Sequence, residues 1–164
     1  MKRLLVFLLL TGCITNNHYL TASYESDLPL YYVDSELVLY LASFKKEAHN
    51  QGFLVSNIPA TVIFGKAATT EHPNAVGWCS VTNGRLFIKI DRKYYFKGDT
   101  YQREELVYHE IGHCLASREH CEYKDPVTKR RVSIMSADMG EGNDYKEHRD
   151  EYIKELFHVN PNCP

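Results

Sequence analysis

The sequence predicts an α+β domain in which a small, largely antiparallel sheet packs against helices. Two stretches repeat apolar residues at helical spacing, one near residue 40 and one near the C-terminus, and a helical stretch with apolar flanks lies between them. After the first helix, a β-branched run is followed by the Asn-Gly signal of a hairpin. The expected order is therefore helix, strand, hairpin, helix, turn and C-terminal helix.

Residues 1–12 are typical of an export signal and are not expected to belong to the fold. Lys2 and Arg3 precede an apolar run at residues 4–10, which is far shorter than the ~20 residues that a membrane-spanning helix needs. The run ends in Leu-Thr-Gly-Cys, which resembles a bacterial lipobox. The resemblance implies cleavage before Cys13, lipidation of Cys13, and an exported protein that is anchored to a bacterial membrane.

The remainder of the chain is expected to form one domain behind a tether. Residues 13–27 are polar and without pattern, and residues 28–164 are long enough to enclose a core. The formal net charge is −2, so no overall positive field indicates a nucleic-acid partner, and a monomer is expected. The one basic cluster, at residues 129–131, is interpreted as a solvated loop.

Two packing helices and a buried strand are predicted from apolar spacing. The first helix is capped by Asp34 or Ser35 and runs to about Gln51, and the run at 61–64 predicts a buried strand. The inward residues of this first helix are Leu37, Leu41, Phe44 and Ala48. The last helix is expected at 144–158. Its inward residues are Tyr145, Arg149, Tyr152, Ile153, Leu156 and Phe157, and its outward residues are Glu147, Glu151 and Glu155.

A hairpin is predicted where residues 75–82 and 85–91 flank Asn83-Gly84, the strongest short-range signal for a two-residue turn. Counting outward from the turn assigns alternate residues to one face. The predicted core face is Cys79, Val81, Leu86, Ile88 and Ile90. Trp78 and Phe87 fall on the other face, where either a loop such as 93–96 covers them or they line a substrate groove beside an edge strand.

The helix after the hairpin, capped by Asp99 or Thr100, carries the motif H-E-x-x-H. Residues i and i+4 lie on the same helix face, so His109 and His113 can direct two imidazoles at one ion. Zinc accepts such ligands in tetrahedral geometry. Glu110 lies beside that face, where it can take a proton from a metal-activated water.

Two later features extend the motif. His120 follows His113 by seven residues, and Ser133-Ile134-Met135-Ser136 follows further on. Together they resemble the metzincin zinc peptidases, whose pattern is H-E-x-x-H-x-x-G-x-x-H followed by a methionine turn. The resemblance implies a compact metzincin-like domain that hydrolyses peptide bonds in a peptide or protein substrate. It also implies a Zn2+ cofactor held by His109, His113 and His120, with Glu110 as catalytic base and Met135 as an apolar floor.

Two positions depart from the metzincin pattern. Ala116 stands where the family has a helix-ending glycine, and Glu119 occupies the slot of the third ligand, one residue before His120. Residues 109–120 also resemble a group of small bacterial metallopeptidase-like proteins that read H-E-x-G-H-C-x-L-x-R-x-H, which favours His120. The additional residue is expected to relax the turn, so that the positive φ of that glycine is not needed. The alternative third ligands are Glu119, Glu147 and Glu151.

Four cysteines follow Cys13 and are expected to oxidise outside the cytoplasm. They are Cys79, Cys114, Cys121 and Cys163, which allow three complete pairings. The hairpin places Cys79 on its core face, and Cys114 lies one step off the face of the zinc ligands. A bond between these two is hypothesised, and it would fasten the motif helix to the hairpin.

Two functions without catalysis are the alternatives to a peptidase. The chain could be a membrane-anchored zinc-binding lipoprotein in which Cys114 or Cys121 joins the histidines, although a structural site needs no base such as Glu110. It could also be an adhesin-like lipoprotein whose motif arose by chance. The zinc content of purified protein separates the adhesin from both zinc-binding alternatives.

Overall fold

The computed structural model describes residues 32–55, 60–82, 84–139, 143–158 and 163 of the 164-residue chain. Over these residues the chain forms a small mixed α/β fold with four helices and one four-stranded sheet. The predicted signal segment, the tether and Cys13 lie outside the described residues. Within the described part, no helix has the length and apolar character needed to cross a bilayer.

The sheet is mixed rather than largely antiparallel. Its strands are β1 (Tyr32–Val33), β2 (Ala60–Phe64), β3 (Gly77–Thr82) and β4 (Arg85–Ile90), in the order β1-β2-β4-β3. Strand β2 pairs in parallel with both β1 and β4, and only β3 and β4 pair antiparallel. The prediction of a largely antiparallel sheet is therefore wrong, while the prediction of a small sheet packed against helices is confirmed.

Chain connectivity explains the parallel pairings. The first helix crosses over between β1 and β2, and such a crossover brings the second strand back parallel to the first. Strand β1 has only two residues, too few for a periodic pattern, so no strand is predicted there. All five residues of β2 are buried, which is typical of a strand between parallel neighbours.

The helices surround one core. They are α1 (Ser35–Asn50), α2 (Arg92–Lys97), α3 (Thr100–Leu115) and α4 (Asp144–Phe157). The four predicted inward residues of α1 are all buried. Phe44 packs edge-on against Tyr108 of α3 and Phe157 of α4, with ring centroids 5.3 and 5.1 Å apart. Helices α1, α3 and α4 therefore share their core with the buried residues of the sheet.

Helix α3 begins at a capping box. The Asp99 carboxylate accepts hydrogen bonds from the backbone N–H groups of Tyr101 and Gln102, both at 2.9 Å. The Gln102 side chain in turn accepts from the Asp99 N–H at 2.9 Å. These bonds satisfy donors that a helix start leaves without partners. The cap fixes the start of α3, and Leu106 and Val107 are buried further along the helix.

The hairpin of β3 and β4 has the predicted register. Gly84 has a φ of +71°, in the left-handed region that the predicted turn requires, and Asn83 lies outside the described residues. The predicted core-face residues of β4 are buried and Cys79 is partly buried, but Val81 is 60% exposed, contrary to prediction. Cys79 is bonded to Cys114 near the end of α3, so the helix ends level with Cys79 and does not cover Val81.

Two half-buried aromatic residues, Trp78 and Phe87, lie on the other face of the hairpin. Lys89 Nζ lies 5.2 Å from the ring centroid of Trp78, and the Arg85 guanidinium lies 4.7 Å from that of Phe87. Residues 93–96 belong to α2 and pack on the end of β2, so they do not form the covering loop that was one interpretation. The lining of a groove by these rings stays a prediction.

Helix α4 has the predicted inward face. The buried residues are Tyr145, Tyr152, Ile153, Leu156 and Phe157. Arg149 pairs with Glu47 of α1 at 2.5 Å and with Glu104 of α3 at 2.7 Å. One guanidinium therefore joins three helices, which a planar group with five donors can do.

Two charged residues that were predicted to be solvated are largely removed from solvent. Glu155 of α4 turns inward and pairs with Arg118 at 2.5 Å, with side-chain exposures of 9% and 5%. Arg131, in the basic cluster, is buried and pairs with Glu105 and Asp144. Charged side chains are rarely buried unless they are paired, and the partners here are distant in sequence. Local patterns therefore assigned both residues to the surface.

Two disulfides fasten the segments around α3. They are Cys79–Cys114 and Cys121–Cys163, with Cα atoms 5.8 and 5.2 Å apart. The first confirms the hypothesised pairing and joins α3 to β3. The second joins the segment after α3 to a residue that follows α4.

Candidate metal centre

Helix α3 places the first two histidines of the motif on one face. His109 and His113 are one helical turn apart, and their ring centroids are separated by 4.7 Å. His109 is buried and His113 is half-buried. The predicted pair therefore lies side by side at the surface of the core.

The chain reverses directly after α3, at Ser117. Ser117 has a φ of +53°, a left-handed conformation that is uncommon for residues with a Cβ. Ala116, at the position of the metzincin glycine, has a φ of −105°. The prediction that this position needs no positive φ is therefore confirmed, but the next residue, Ser117, adopts a positive φ instead. The reversal returns His120 to the other two histidines.

The three imidazoles converge through their Nε2 atoms. His109 Nε2 lies 3.1 Å from His113 Nε2 and 3.3 Å from His120 Nε2. Each ring offers one ligand atom, and these atoms all lie within 4.8 Å of one another. Nitrogen ligands of a tetrahedral zinc, each ~2.0–2.1 Å from the ion, are about 3.3 Å apart. The group of His109, His113 and His120 could therefore hold a metal ion.

Backbone carbonyls determine the tautomers of the two helical histidines. His109 Nδ1 donates to the carbonyl oxygen of Ile134 at 2.9 Å, and His113 Nδ1 donates to that of Arg118 at 2.6 Å. A carbonyl oxygen only accepts, so each Nδ1 carries the proton and each Nε2 of a neutral ring carries a lone pair. Neither Nε2 can then donate to the other across 3.1 Å. Converging lone pairs of this kind fit a cation, and carbonyl partners on Nδ1 are typical of metal-ligating histidines.

Burial keeps these two rings in the neutral form. Removal from water lowers the pKa of His109 to about 3 and also lowers the pKa of His113. Neutral imidazole is the form that binds a metal ion. At neutral pH, protons therefore do not compete for these two nitrogens.

The segment after the third histidine packs beneath α3. Ser133 Oγ accepts a hydrogen bond from the Met135 N–H at 3.0 Å, and this turn presents the Ile134 carbonyl to His109. Met135 is fully buried. A Cβ at Gly112 would lie only 2.8 Å from Met135 Sδ. The glycine therefore lets Met135 pack against the helix backbone between the two histidines of the motif.

Glu110 is buried, and its carboxyl group lies against the backbone of Gly77 in β3. A Cβ at Gly77 would overlap that carboxyl group, so only glycine leaves this space. Removal from water raises the pKa of Glu110 to about 8. Successive helix residues are ~100° apart, so Glu110 points to the edge strand while His109 points to the other histidines.

The other carboxylates considered as third ligands lie outside the histidine group. Glu119 and His120 are both exposed, but only His120 belongs to the group. Glu151 pairs with Arg130 at 2.6 Å on the surface, and Glu147 is exposed. The sequence argument that preferred His120 therefore agrees with the geometry of the described residues.

The four cysteines in the described part of the chain are not available as ligands of this group. Cys114 and Cys121 each follow a histidine of the group directly, but both are oxidised to disulfides. Only a thiolate ligates a metal, so the zinc-binding alternative that uses either cysteine is wrong for this oxidised form.

Two residues that shape the site were not predicted. Gly77 lies at the start of β3, where a glycine ordinarily indicates a turn, and nothing local shows that a carboxyl group approaches it. Arg118 is part of the pattern H-E-x-G-H-C-x-L-x-R-x-H, which marked its position but assigned it no role. The signal for the role of Gly77 is its position on the core face of an edge strand, where a glycine often marks the close approach of another group.

Comparison with protein-family models, with curated proteins and with solved structures finds no match to this chain. The fold and the site define a small mixed α/β protein with a three-histidine group that could hold a metal ion. The resemblance to metzincins rests on the motif residues alone.

Proposed function

We propose that this protein is a zinc-dependent endopeptidase in which His109, His113 and His120 hold the ion and Glu110 is the catalytic base. The observation that carries the proposal is the convergence of three imidazole Nε2 atoms at 3.1 and 3.3 Å, with two of the rings on a helix that also carries the buried carboxyl group of Glu110. A site that only stores zinc needs the first of these features but not the second.

Zinc is the ion that suits the donor set best. Three neutral imidazoles without a thiolate are typical of catalytic zinc sites, which leave the fourth position open. When bound, a zinc ion would supply Lewis-acid chemistry, since it polarises a carbonyl and lowers the pKa of water to about 7. The carbonyls of Ile134 and Arg118 orient two of the lone pairs in advance, which supports tight binding.

Glu110 is proposed to accept a proton from the attacking water and to deliver it to the leaving amine. Its place in the fold supports this role. The carboxyl group is buried, lies one residue from His109 on α3, and is confined by the backbone of Gly77. Burial alone would keep this group largely protonated at neutral pH, and a bound cation nearby would lower its pKa and release the carboxylate. A confined carboxylate loses little freedom when it aligns with a water molecule, which favours proton transfer.

An extended polypeptide is the substrate class that the surroundings favour. Strand β3 is at an edge of the sheet, and Glu110 lies against its first residue, Gly77. Extended peptides add to exposed strand edges through backbone hydrogen bonds. A peptide added to β3 would pass beside Glu110, which supports cleavage within a chain rather than hydrolysis of a small ester or amide.

The proposed setting is outside the cytoplasm, on a bacterial membrane. Two disulfides in the described part of the chain support an oxidising compartment. The lipobox-like residues 10–13 support lipidation of Cys13. Metabolic labelling with a radioactive fatty acid should mark the parent chain and should fail for Cys13→Ala.

The test of catalysis compares Glu110→Gln with the parent in the purified, oxidised mature protein. Glutamine keeps the size of the side chain but removes the base. Zinc content should stay near one ion per chain, and cleavage of unfolded proteins and of a peptide library should fall at least ~100-fold. Glu104→Gln is the matched control, because Glu104 is on the same helix but pairs with Arg149, so its cleavage rate should be that of the parent.

Each outcome distinguishes one function. Full cleavage by zinc-loaded Glu110→Gln would remove Glu110 from the mechanism. A parent that binds zinc but cleaves nothing across the library would favour a zinc-binding lipoprotein without catalysis. A parent that binds no zinc would favour the adhesin-like alternative.

A further inference from the structure

Arg118 is bonded to α3 through both of its backbone groups. The left-handed residue Ser117 turns the chain so that the Arg118 N–H donates to the carbonyl of Gly112 at 3.2 Å. The Arg118 carbonyl accepts from His113 Nδ1 at 2.6 Å. The position of this one peptide segment therefore determines the tautomer and the orientation of His113.

The Arg118 side chain is bonded to the end of α4. Its guanidinium donates to the carbonyls of Glu155 and Leu156 at 2.9 and 3.0 Å and pairs with the Glu155 carboxylate at 2.5 Å. Carbonyls in the last turn of a helix carry the negative end of the helix dipole and attract cations. Arg118 is only 5% exposed, so these contacts are removed from water. A planar fork of donors is needed to reach all three acceptors at once.

Glu155 connects this arrangement to the other helical histidine. Its second carboxylate oxygen accepts from Ser133 Oγ at 2.6 Å, and Ser133 begins the turn that presents the Ile134 carbonyl to His109. The two carbonyls that hold His109 and His113 are therefore coupled through one buried ion pair between Arg118 and Glu155.

We propose that Arg118 is a positioning residue of the metal centre, which holds His113 and the following segment with His120 in their ligating arrangement. This proposal deepens the proposed function and rests on the three histidines as zinc ligands. The Arg118 guanidinium lies against α4. Loss of its guanidinium frees the segment between α3 and Cys121, so the carbonyl no longer orients His113. Disturbing the hydrogen-bond partner of a ligand typically costs about 10–100-fold in metal affinity.

Arg131 provides the matched control for a role in stability alone. It is as buried as Arg118, at 6% against 5%, and it pairs with Glu105 and Asp144. Its backbone carbonyl accepts from Tyr152, not from a histidine. Both arginines are buried cations in ion-pair networks, so replacing either by glutamine should destabilise the fold, and only one replacement should disturb the metal site.

The experiment measures zinc affinity by competition with a chromophoric chelator, using the oxidised mature protein. Arg118→Gln should weaken zinc binding at least about 10-fold, whereas Arg131→Gln, which removes a positive charge that acts on His109 only through space, should not weaken it. Arg118→Lys, which keeps the charge but not the fork, should fall between Arg118→Gln and the parent. Cobalt substituted for zinc should show a changed d–d absorption band in Arg118→Gln and the parental band in Arg131→Gln.

A second measurement separates this proposal from the proposed function. Nitrogen-15 spectra of the histidines in metal-free protein should show His113 protonated at Nδ1 in the parent and as mixed tautomers in Arg118→Gln. That result stands even if the parent proves to cleave nothing.

If Arg118→Gln does not fold, Glu155→Gln removes the same ion pair more mildly and should shift zinc affinity and the His113 tautomer in the same direction. A foldable variant with parental zinc affinity, cobalt spectrum and tautomer would overturn the proposal.

Discussion

The Glu110 carboxyl group fills the space that a side chain at Gly77 would occupy. The same helix and strand meet again at the Cys79–Cys114 disulfide. Gly77 and Cys79 are two residues apart on one face of β3, and Glu110 and Cys114 are one turn apart on α3. The disulfide therefore sets the register in which the buried carboxyl group meets the glycine at the sheet edge.

Gly77→Ala should lower cleavage while leaving zinc binding unchanged. The added methyl group displaces the Glu110 carboxylate, whereas the histidines lie on another face of α3. A displacement of about 1 Å can cost ~100-fold in rate. Overpacking of this kind should also cost about 1–3 kcal/mol of stability. The measurements are metal content, kcat/KM on an unfolded protein substrate, and urea denaturation.

Gly65→Ala is the control for that substitution. The nearest atom to an added Cβ at Gly65 is Lys89 Cδ at 3.8 Å, which is an ordinary contact. Stability, zinc content and cleavage should all match the parent. Parental cleavage by Gly77→Ala would show that the confined position of Glu110 has no part in turnover.

His120→Ala should weaken zinc far more than Glu119→Ala. His120 Nε2 lies 3.3 Å from His109 Nε2, while Glu119 lies outside the histidine group. Loss of a direct ligand should exceed the effect of losing its hydrogen-bond partner, so a reduction of at least about 100-fold is expected for His120→Ala. Competition with a chelator measures both variants. The reverse ranking would assign the third ligand to Glu119.

Local spacing was sufficient to predict most helices and the hairpin. The inward residues of α1 recur at helical spacing, and the Asn-Gly signal fixed the register of β3 and β4. The parallel pairing of β2 was not predicted, because β1 is two residues long and the β4 partner of β2 lies beyond an intervening strand. The apolar run did predict that β2 is buried, and burial of all five of its residues is a consequence of the parallel pairing.

In the site as well, residues on one helix could be predicted from the sequence, whereas contacts between distant residues could not. His109, Glu110 and His113 follow from the geometry of a single helix. The carbonyl that orients His109 comes from Ile134, 25 residues away, and its position depends on how the chain packs after α3. The buried partners of Glu155 likewise lie 22 and 37 residues away, so helical periodicity placed that residue on the surface.

Replacing Cys121 and Cys163 by serine should weaken zinc binding as well as stability. Cys121 directly follows His120, which lies in a segment without regular structure, so the disulfide holds that ligand near the other two. The chain-entropy model gives about 4 kcal/mol of stabilisation for a disulfide that spans 42 residues. Urea denaturation and chelator competition measure the two effects.

The other disulfide is the control for that pair. Cys79–Cys114 spans 35 residues, so its replacement by two serines should cost a similar free energy, also about 4 kcal/mol. It should affect zinc less, because His113 remains held by α3 and by its carbonyl partner. Equal losses of zinc affinity in both double variants would show that overall stability, not the position of His120, limits binding.

Ser117→Gly should stabilise the protein, although glycine usually does the opposite. Ser117 has a φ of +53°, a conformation that costs residues with a Cβ about 1–2 kcal/mol. Glycine removes that cost but adds freedom to the unfolded chain worth roughly 0.5–1 kcal/mol. The serine is exposed, so little packing is lost, and a net gain of up to about 1 kcal/mol is expected.

Ala116→Gly, at a φ of −105°, should instead lower stability by about 0.5–1 kcal/mol. Urea denaturation of the oxidised, metal-free protein measures both, and a larger loss for Ser117→Gly than for Ala116→Gly would show that the left-handed residue lies elsewhere.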